Sequence, residues 1–160
     1  MQIPRLASLA RDDTGLASLA REGRRAGAFP LTVVGVIESE LLTVERAPRQ
    51  GSDGAPDAWL VVDAAFARAL TGVQVNDELI VVTWLHRASR LILEVHPRGD
   101  PSKSLAGVFP TRSAHRPNPL GLHRVTVREV HGRRLRIGPM EAIDGTPVVD
   151  VKAVLAGAEE

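Results

Sequence analysis

Arg112, Arg116 and Asn118 fall in the fifteen-residue run Gly107–Gly121, among Pro110, Pro117 and Pro119. The planar fork of arginine matches carboxylate, phosphate and base edges two bonds at a time, and an asparagine amide both donates and accepts. Each proline fixes φ and removes a backbone donor, so the run has little conformational freedom to lose when it closes on a ligand. Such a loop serves recognition of a polar or anionic group held in a fixed place. The same composition also describes a proline-rich turn with solvated arginines, and the loop taken alone leaves both readings open.

The elements that must position this loop read as strands. Leu31–Ile37, Ala58–Val62, Glu78–His86, Arg90–His96, Leu122–Val130, Arg134–Ile137 and Thr146–Val151 are short alternating or β-branched runs separated by Gly, Pro, Asn and Asp. Ala64–Leu70 is the one run that reads as a helix, and His131-Gly132 reads as a two-residue hairpin loop. Many short strands without long helices between them give an all-β, mainly antiparallel fold, a small single-domain β-barrel with one or two short helices. No G-x-G-x-x-G turn is present, so a doubly wound nucleotide fold would lack its anion cradle. No serine stands in a G-x-S-x-G context, which sets aside the usual elbow of an α/β-hydrolase.

Composition bounds the function. The chain has 160 residues, 44% hydrophobic, enough for one domain with a real core. It has no cysteine, and its five histidines lack zinc-site spacing, so no metal is assigned. No apolar run reaches the roughly 20 residues needed to span a bilayer, and Arg11, Asp12 and Asp13 interrupt any signal-peptide core. A soluble cytoplasmic protein with no membrane partner is expected. The net charge is only +1, yet Arg124, Arg128, Arg133, Arg134 and Arg136 oppose a single Glu129. On a strand, Arg124, Thr126 and Arg128 would share one face while Val125 and Val127 turn to the core. That face is either an ordinary solvated one or a contact for RNA phosphates.

Residues 1–28 repeat themselves, Leu6-Ala7-Ser8-Leu9-Ala10-Arg11 returning as Leu16-Ala17-Ser18-Leu19-Ala20-Arg21. The four leucines fall on one side of a helical wheel, which describes a marginal amphipathic helix or a flexible extension. The organisation expected is an extension over 1–28, a barrel over 29–157 and a tail over 158–160.

The Gly107–Gly121 run and the later Asp144-Gly145-Thr146-Pro147-Val148-Val149-Asp150-Val151-Lys152 together resemble the two signature blocks of the TrmO family, also called TsaA-like or YaeB-like. The resemblance extends from about Leu31 to Leu155. It implies a TsaA-like barrel that uses S-adenosyl-L-methionine to methylate N6 of threonylcarbamoyladenosine at position 37 of tRNA, beside the anticodon, and that works as a homodimer. Residue by residue it implies cofactor contacts at Gln50, Gly51 and Ser52 in the Pro48-Arg49-Gln50-Gly51 turn and at His86 and Arg87 after the strand holding Trp84. Further contacts fall at Arg112, at Leu122, and at Gly138, Pro139, Met140 and Glu141 through backbone groups around the adenine.

Arg112, Arg116 and Asn118 are expected to hold polar groups of cofactor or acceptor while the stiff loop keeps the reacting atoms aligned. On ordinary structural grounds His86 is a strand-end surface residue, Leu122 a core residue, and Gly138-Pro139 and Asp144-Gly145 turn punctuation. Asp150 and Lys152 are expected to pair at the barrel end. Ala114 replaces the proline of the family's R-S-P, and the strand before His86 holds one aromatic, Trp84. Both departures leave the acceptor open. The alternatives are a methyltransferase of another RNA nucleoside or a small molecule, and a non-catalytic adenosylmethionine-binding barrel.

Overall fold

The computed structural model describes residues 29–155 and 157, so the N-terminal repeat and the last three residues lie outside the described residues. The chain divides between Leu31 and Thr32, and every strand belongs to the second unit.

Eight strands are formed: β1 Gly35–Glu38, β2 Ala58–Val62, β3 Glu78–Trp84, β4 Glu94–Val95, β5 Ala106–Gly107, β6 Leu120–His131, β7 Arg134–Gly138 and β8 Pro147–Ala153. Six of them close into a barrel in the order β1-β2-β7-β6-β3-β8, every pair antiparallel, with β8 returning to β1 through Gly35 and Val36. Closure removes the free sheet edges that an open sheet of this size would expose.

Alternation decides which side chains fill the interior. Leu79, Val81 and Thr83 of β3, Val125 and Val127 of β6, and Leu60, Leu135, Ile137 and Val148 of the other strands are all buried. A six-stranded barrel is narrow, so these side chains occupy its axis and no channel remains. Arg124 and Arg128 face outward with Thr126 half-buried between them, as the period of two requires.

The sequence reading departs from the structure in several places. The first strand is shorter than Leu31–Ile37, because Leu31 and Val33 are exposed and have no core to face. Of Arg90–His96 only Glu94 and Val95 pair, with Ala106 and Gly107, in a separate two-stranded sheet. The Ala64–Leu70 helix is a 3₁₀ helix, capped by Asp63, whose carboxylate accepts from the Ala65 amide at 3.2 Å. The hairpin loop is Gly132-Arg133, closed by His131 opposite Arg134. Gly132 takes φ +58 at the first loop position, where a II′-type turn calls for glycine.

Candidate functional site

The Gly107–Gly121 loop is braced from within and from one side. The Arg116 guanidinium donates to three carbonyls of its own loop: Ser113 at 2.8 Å, Val108 at 3.0 Å and Thr111 at 2.7 Å. From the segment that leaves β3, the Leu85 amide donates to the Pro119 carbonyl at 2.8 Å, and Arg90 Nε to the Pro117 carbonyl at 2.7 Å. Arg90 also lies 5.2 Å from the Trp84 ring centroid and 3.4 Å from Asn118 Oδ1.

The three polar residues of the loop therefore have different situations. Arg116 is a loop clamp, half-buried, with its fork committed to carbonyls. Asn118 meets Arg90 only through a long contact. Arg112 is exposed, and among the described residues it makes no hydrogen bond or ion pair. A guanidinium on a clamped loop with no protein partner is available to an anionic group.

His86 and Arg87 form the exposed turn after β3, beside this loop. Leu122 is not a core residue: it stands on the outer face of β6, 50% exposed, because Gly121 and His123 on either side take the inward positions.

The two remaining cofactor segments meet each other. A side chain at Gly51 would begin 3.2 Å from the Pro139 ring, 3.2 Å from the Pro139 carbonyl oxygen and 3.3 Å from Glu141 Oε2, so the turns at 51 and 139–141 are in close approach. Gly138 is required for a sharper reason, since a Cβ there would lie 1.8 Å from Asp57 Oδ1. Met140 is fully buried in the core, and its amide donates to the Pro56 carbonyl at 2.8 Å, so its side chain and N–H are already committed within the protein.

Sequence reasoning missed Thr83 and His123. His123 is buried on the inner face of β6, with Nε2 2.7 Å from Thr83 Oγ1 and Nδ1 2.8 Å from Glu141 Oε1. The available signal was a polar residue at each of two inward positions of otherwise apolar strands. Together these contacts link three stretches distant in sequence: the loop enters β6, β6 carries His123, His123 holds Glu141, and Glu141 lies against Gly51.

The arginine-rich hairpin carries less free charge than its sequence implies. Arg124 pairs with Glu78 at 3.0 Å, Arg134 with Glu38 at 2.6 Å, and Arg136 with Glu129 at 2.8 Å and Asp57 at 3.4 Å. Arg128 donates to the Gly138 carbonyl at 3.4 Å, and Arg133 to that of Val62 at 2.8 Å. Hydrogen bonds from His131 and then Arg136 hold the Glu129 carboxyl below its ordinary range. The basic face is thus a mixed-charge network assembled from neighbouring strands. Asp150 and Lys152 pair at 3.0 Å on β8, as expected, and both are largely exposed.

An open depression of about 620 Å³ lies elsewhere, lined by Glu38, Glu40, Asp57, Trp59, Arg136 and Asp144 among others, and holds none of the expected cofactor residues. Among the described residues no three His, Asp or Glu side chains converge as metal ligands, and no helix is long and apolar enough to cross a membrane.

A closed antiparallel barrel, with a clamped polar loop leading into β6, defines a small all-β barrel domain. The chain belongs to the tRNA-methyltransferase O N-terminal domain family, whose model matches residues 36–159. It is 41% identical to a probable S-adenosyl-L-methionine-binding protein of Archaeoglobus fulgidus over 76% of this chain and 33% of that protein. A probable S-adenosyl-L-methionine-binding protein of Methanothermobacter thermautotrophicus is 39% identical over 74% of this chain and 85% of its own. The tRNA (adenine(37)-N6)-methyltransferase of Escherichia coli is 31% identical over 82% of this chain, which spans 60% of that enzyme. Among solved structures, TrmO from P. aeruginosa superposes with a TM-score of 0.66 at 27% identity, covering 84% of this chain and 59% of that one.

Proposed function

We propose that this chain is an S-adenosyl-L-methionine-dependent methyltransferase of tRNA, acting on N6 of threonylcarbamoyladenosine at position 37. The observation that carries the reading is the close approach of two expected cofactor segments, 50–52 and 138–141, with Glu141 tied through His123 to the strand that follows the Arg112 loop. Family membership and the E. coli relative supply the reaction class. The archaeal relatives supply the cofactor.

The residues present fit that cofactor. Arg112 offers a cation to its carboxylate, Leu122 an apolar surface to its adenine, and Glu141 an oxygen to its neutral donors. When bound, the cofactor supplies a methyl group already activated on a sulfonium, so the protein's contribution is alignment and exclusion of water. Arg116 supports alignment by fixing the loop that carries Arg112, and the Leu85 amide and the Arg90 guanidinium tie the loop to the segment that follows β3.

The acceptor docks on the side of Arg87 and Arg112. Residues 85–119 hold Arg87, Arg90, Arg98, Lys103, Arg112 and Arg116 against only Glu94 and Asp100, whereas the hairpin arginines are paired. A second subunit covers the exposed Leu122 and shields the cofactor from water, so the working form is a homodimer. The protein works in the cytoplasm, where tRNA is modified.

Purified protein, adenosylmethionine and tRNA from cells lacking the enzyme decide the matter by nucleoside mass spectrometry. The expected product is N6-methylated threonylcarbamoyladenosine. A methylated nucleoside of another kind transfers the activity to another acceptor, and cofactor binding without any methylated product leaves a non-catalytic binding barrel.

A further inference from the structure

Thr83 and His123 are polar residues inside a barrel whose other contents are mostly Leu, Val and Ile, with 0% and 5% of their surface exposed. Buried polar groups persist when each is bonded, and these two are. In the neutral ring, Nδ1–H donates to Glu141 and Nε2 accepts from the Thr83 hydroxyl, the tautomer that a carboxylate partner selects. The Thr83–His123 bond passes over Gly121, where a Cβ would stand 2.5 Å from Thr83 Oγ1 and 2.6 Å from His123 Nε2. Glycine at that position is what lets the bond form.

The chain ends on a carboxylate with one oxygen engaged. Glu141 Oε1 is held by His123, while Oε2 makes no hydrogen bond among the described residues and faces Gly51. The Glu141 side chain is 19% exposed, and Oε2, which has no partner among the described residues, is reachable from outside the protein beside the Gly51 turn. A glutamate on the surface samples several rotamers, whereas one pinned at Oε1 presents Oε2 in a fixed place.

We propose that Thr83 and His123 are positioning residues that hold Glu141 so that Oε2 accepts hydrogen bonds from a vicinal diol, the ribose hydroxyls of adenosylmethionine. This rests on the reading that the 50–52 and 138–141 turns hold that cofactor. Two adjacent hydroxyls match the lone pairs of one carboxylate oxygen, and neither needs to bring charge into a half-buried site.

The test is calorimetric titration of the full chain with S-adenosylhomocysteine and with its 2′,3′-dideoxy counterpart. In the wild type, loss of the hydroxyls weakens binding by about 10- to 100-fold. In Glu141→Ala no group faces the diol in place of the carboxylate, so that penalty falls below about 3-fold. His123→Leu gives the same loss of discrimination, and His123→Asn, which keeps a donor toward Glu141, restores part of it. A merely structural role would lower stability without changing the ratio between the two ligands.

An undiminished penalty in Glu141→Ala overturns the proposal, and Glu141, being partly exposed, tests it even where a His123 variant fails to fold. Failure of the wild type to bind either ligand overturns the reading of the cofactor site instead, and the diol proposal with it.

Discussion

Arg116 Nη2 lies 2.7 Å from the Thr111 carbonyl, one residue before Arg112. The two arginines of the loop are therefore not equivalent: one builds the loop and the other is offered by it.

Arg112→Ala leaves the fold intact and weakens the cofactor. At about 100 times the dissociation constant, adenosylmethionine stabilises the wild type by about 2.7 kcal/mol, a rise of roughly 5–10 °C in a thermal melt at about 2–4 °C per kcal/mol. The variant melts at the wild-type temperature alone and shows a smaller rise with cofactor. Equal rises would remove Arg112 from the site.

Arg116→Ala behaves in the opposite sense. It leaves three half-buried loop carbonyls without their charged donor, a loss of about 1–3 kcal/mol, visible as a lower melting temperature before any ligand is added. Arg116→Lys recovers little, because an ammonium cannot span the Ser113, Val108 and Thr111 carbonyls as a planar fork does.

Gly121→Ala places a methyl group 2.5 Å from Thr83 Oγ1 and 2.6 Å from His123 Nε2, both on buried side chains that are bonded to each other. The expected cost is about 1–3 kcal/mol from overpacking, read by urea denaturation. An unchanged midpoint would mean that Thr83 and His123 part without loss.

Glu129 predicts an acid-labile contribution to stability. Its carboxyl is held below the ordinary range first by the hydrogen bond from His131 and then by that from Arg136. A carboxyl whose pKa is lower folded than unfolded stabilises the fold above its unfolded value, and that contribution disappears as the pH falls through the folded value. Melts of the wild type and Glu129→Gln should differ near neutrality and converge at the acid end of the carboxylate range. Both partners are exposed, so the gap narrows with salt.

If tRNA docks beside Arg87 and Arg112, the logarithm of affinity falls linearly with that of salt, and each of Arg87→Ala and Arg112→Ala reduces the slope by about 1. Arg134→Ala, whose arginine already has Glu38 at 2.6 Å and the Trp59 ring 5.3 Å away, changes it much less. The reverse ranking would return the docking face to the hairpin.

Much of this protein was legible in residue order. Alternation in Glu78–His86 and Leu122–Val130 located two barrel strands to within two residues at each end and turned Val125 and Val127 inward, because side chains on a strand point to opposite sides in turn whatever the partner. The proline-rich loop and the Asp144–Lys152 block pointed to the family, and its model then matched. Pairing across the barrel was not legible. Glu38, Asp57 and Glu78 neutralise Arg134, Arg136 and Arg124 from positions between 46 and 96 residues away, so a basic run in sequence became a mixed face in space. Leu122 went outward because the wall had already given its neighbouring inward places to Gly121 and His123. The Thr83–His123–Glu141 chain was hidden for the same reason: whether a buried histidine is inert or holds a site residue depends on which atoms closure brings within hydrogen-bond reach. Closure of the barrel is a tertiary event that no local pattern encodes.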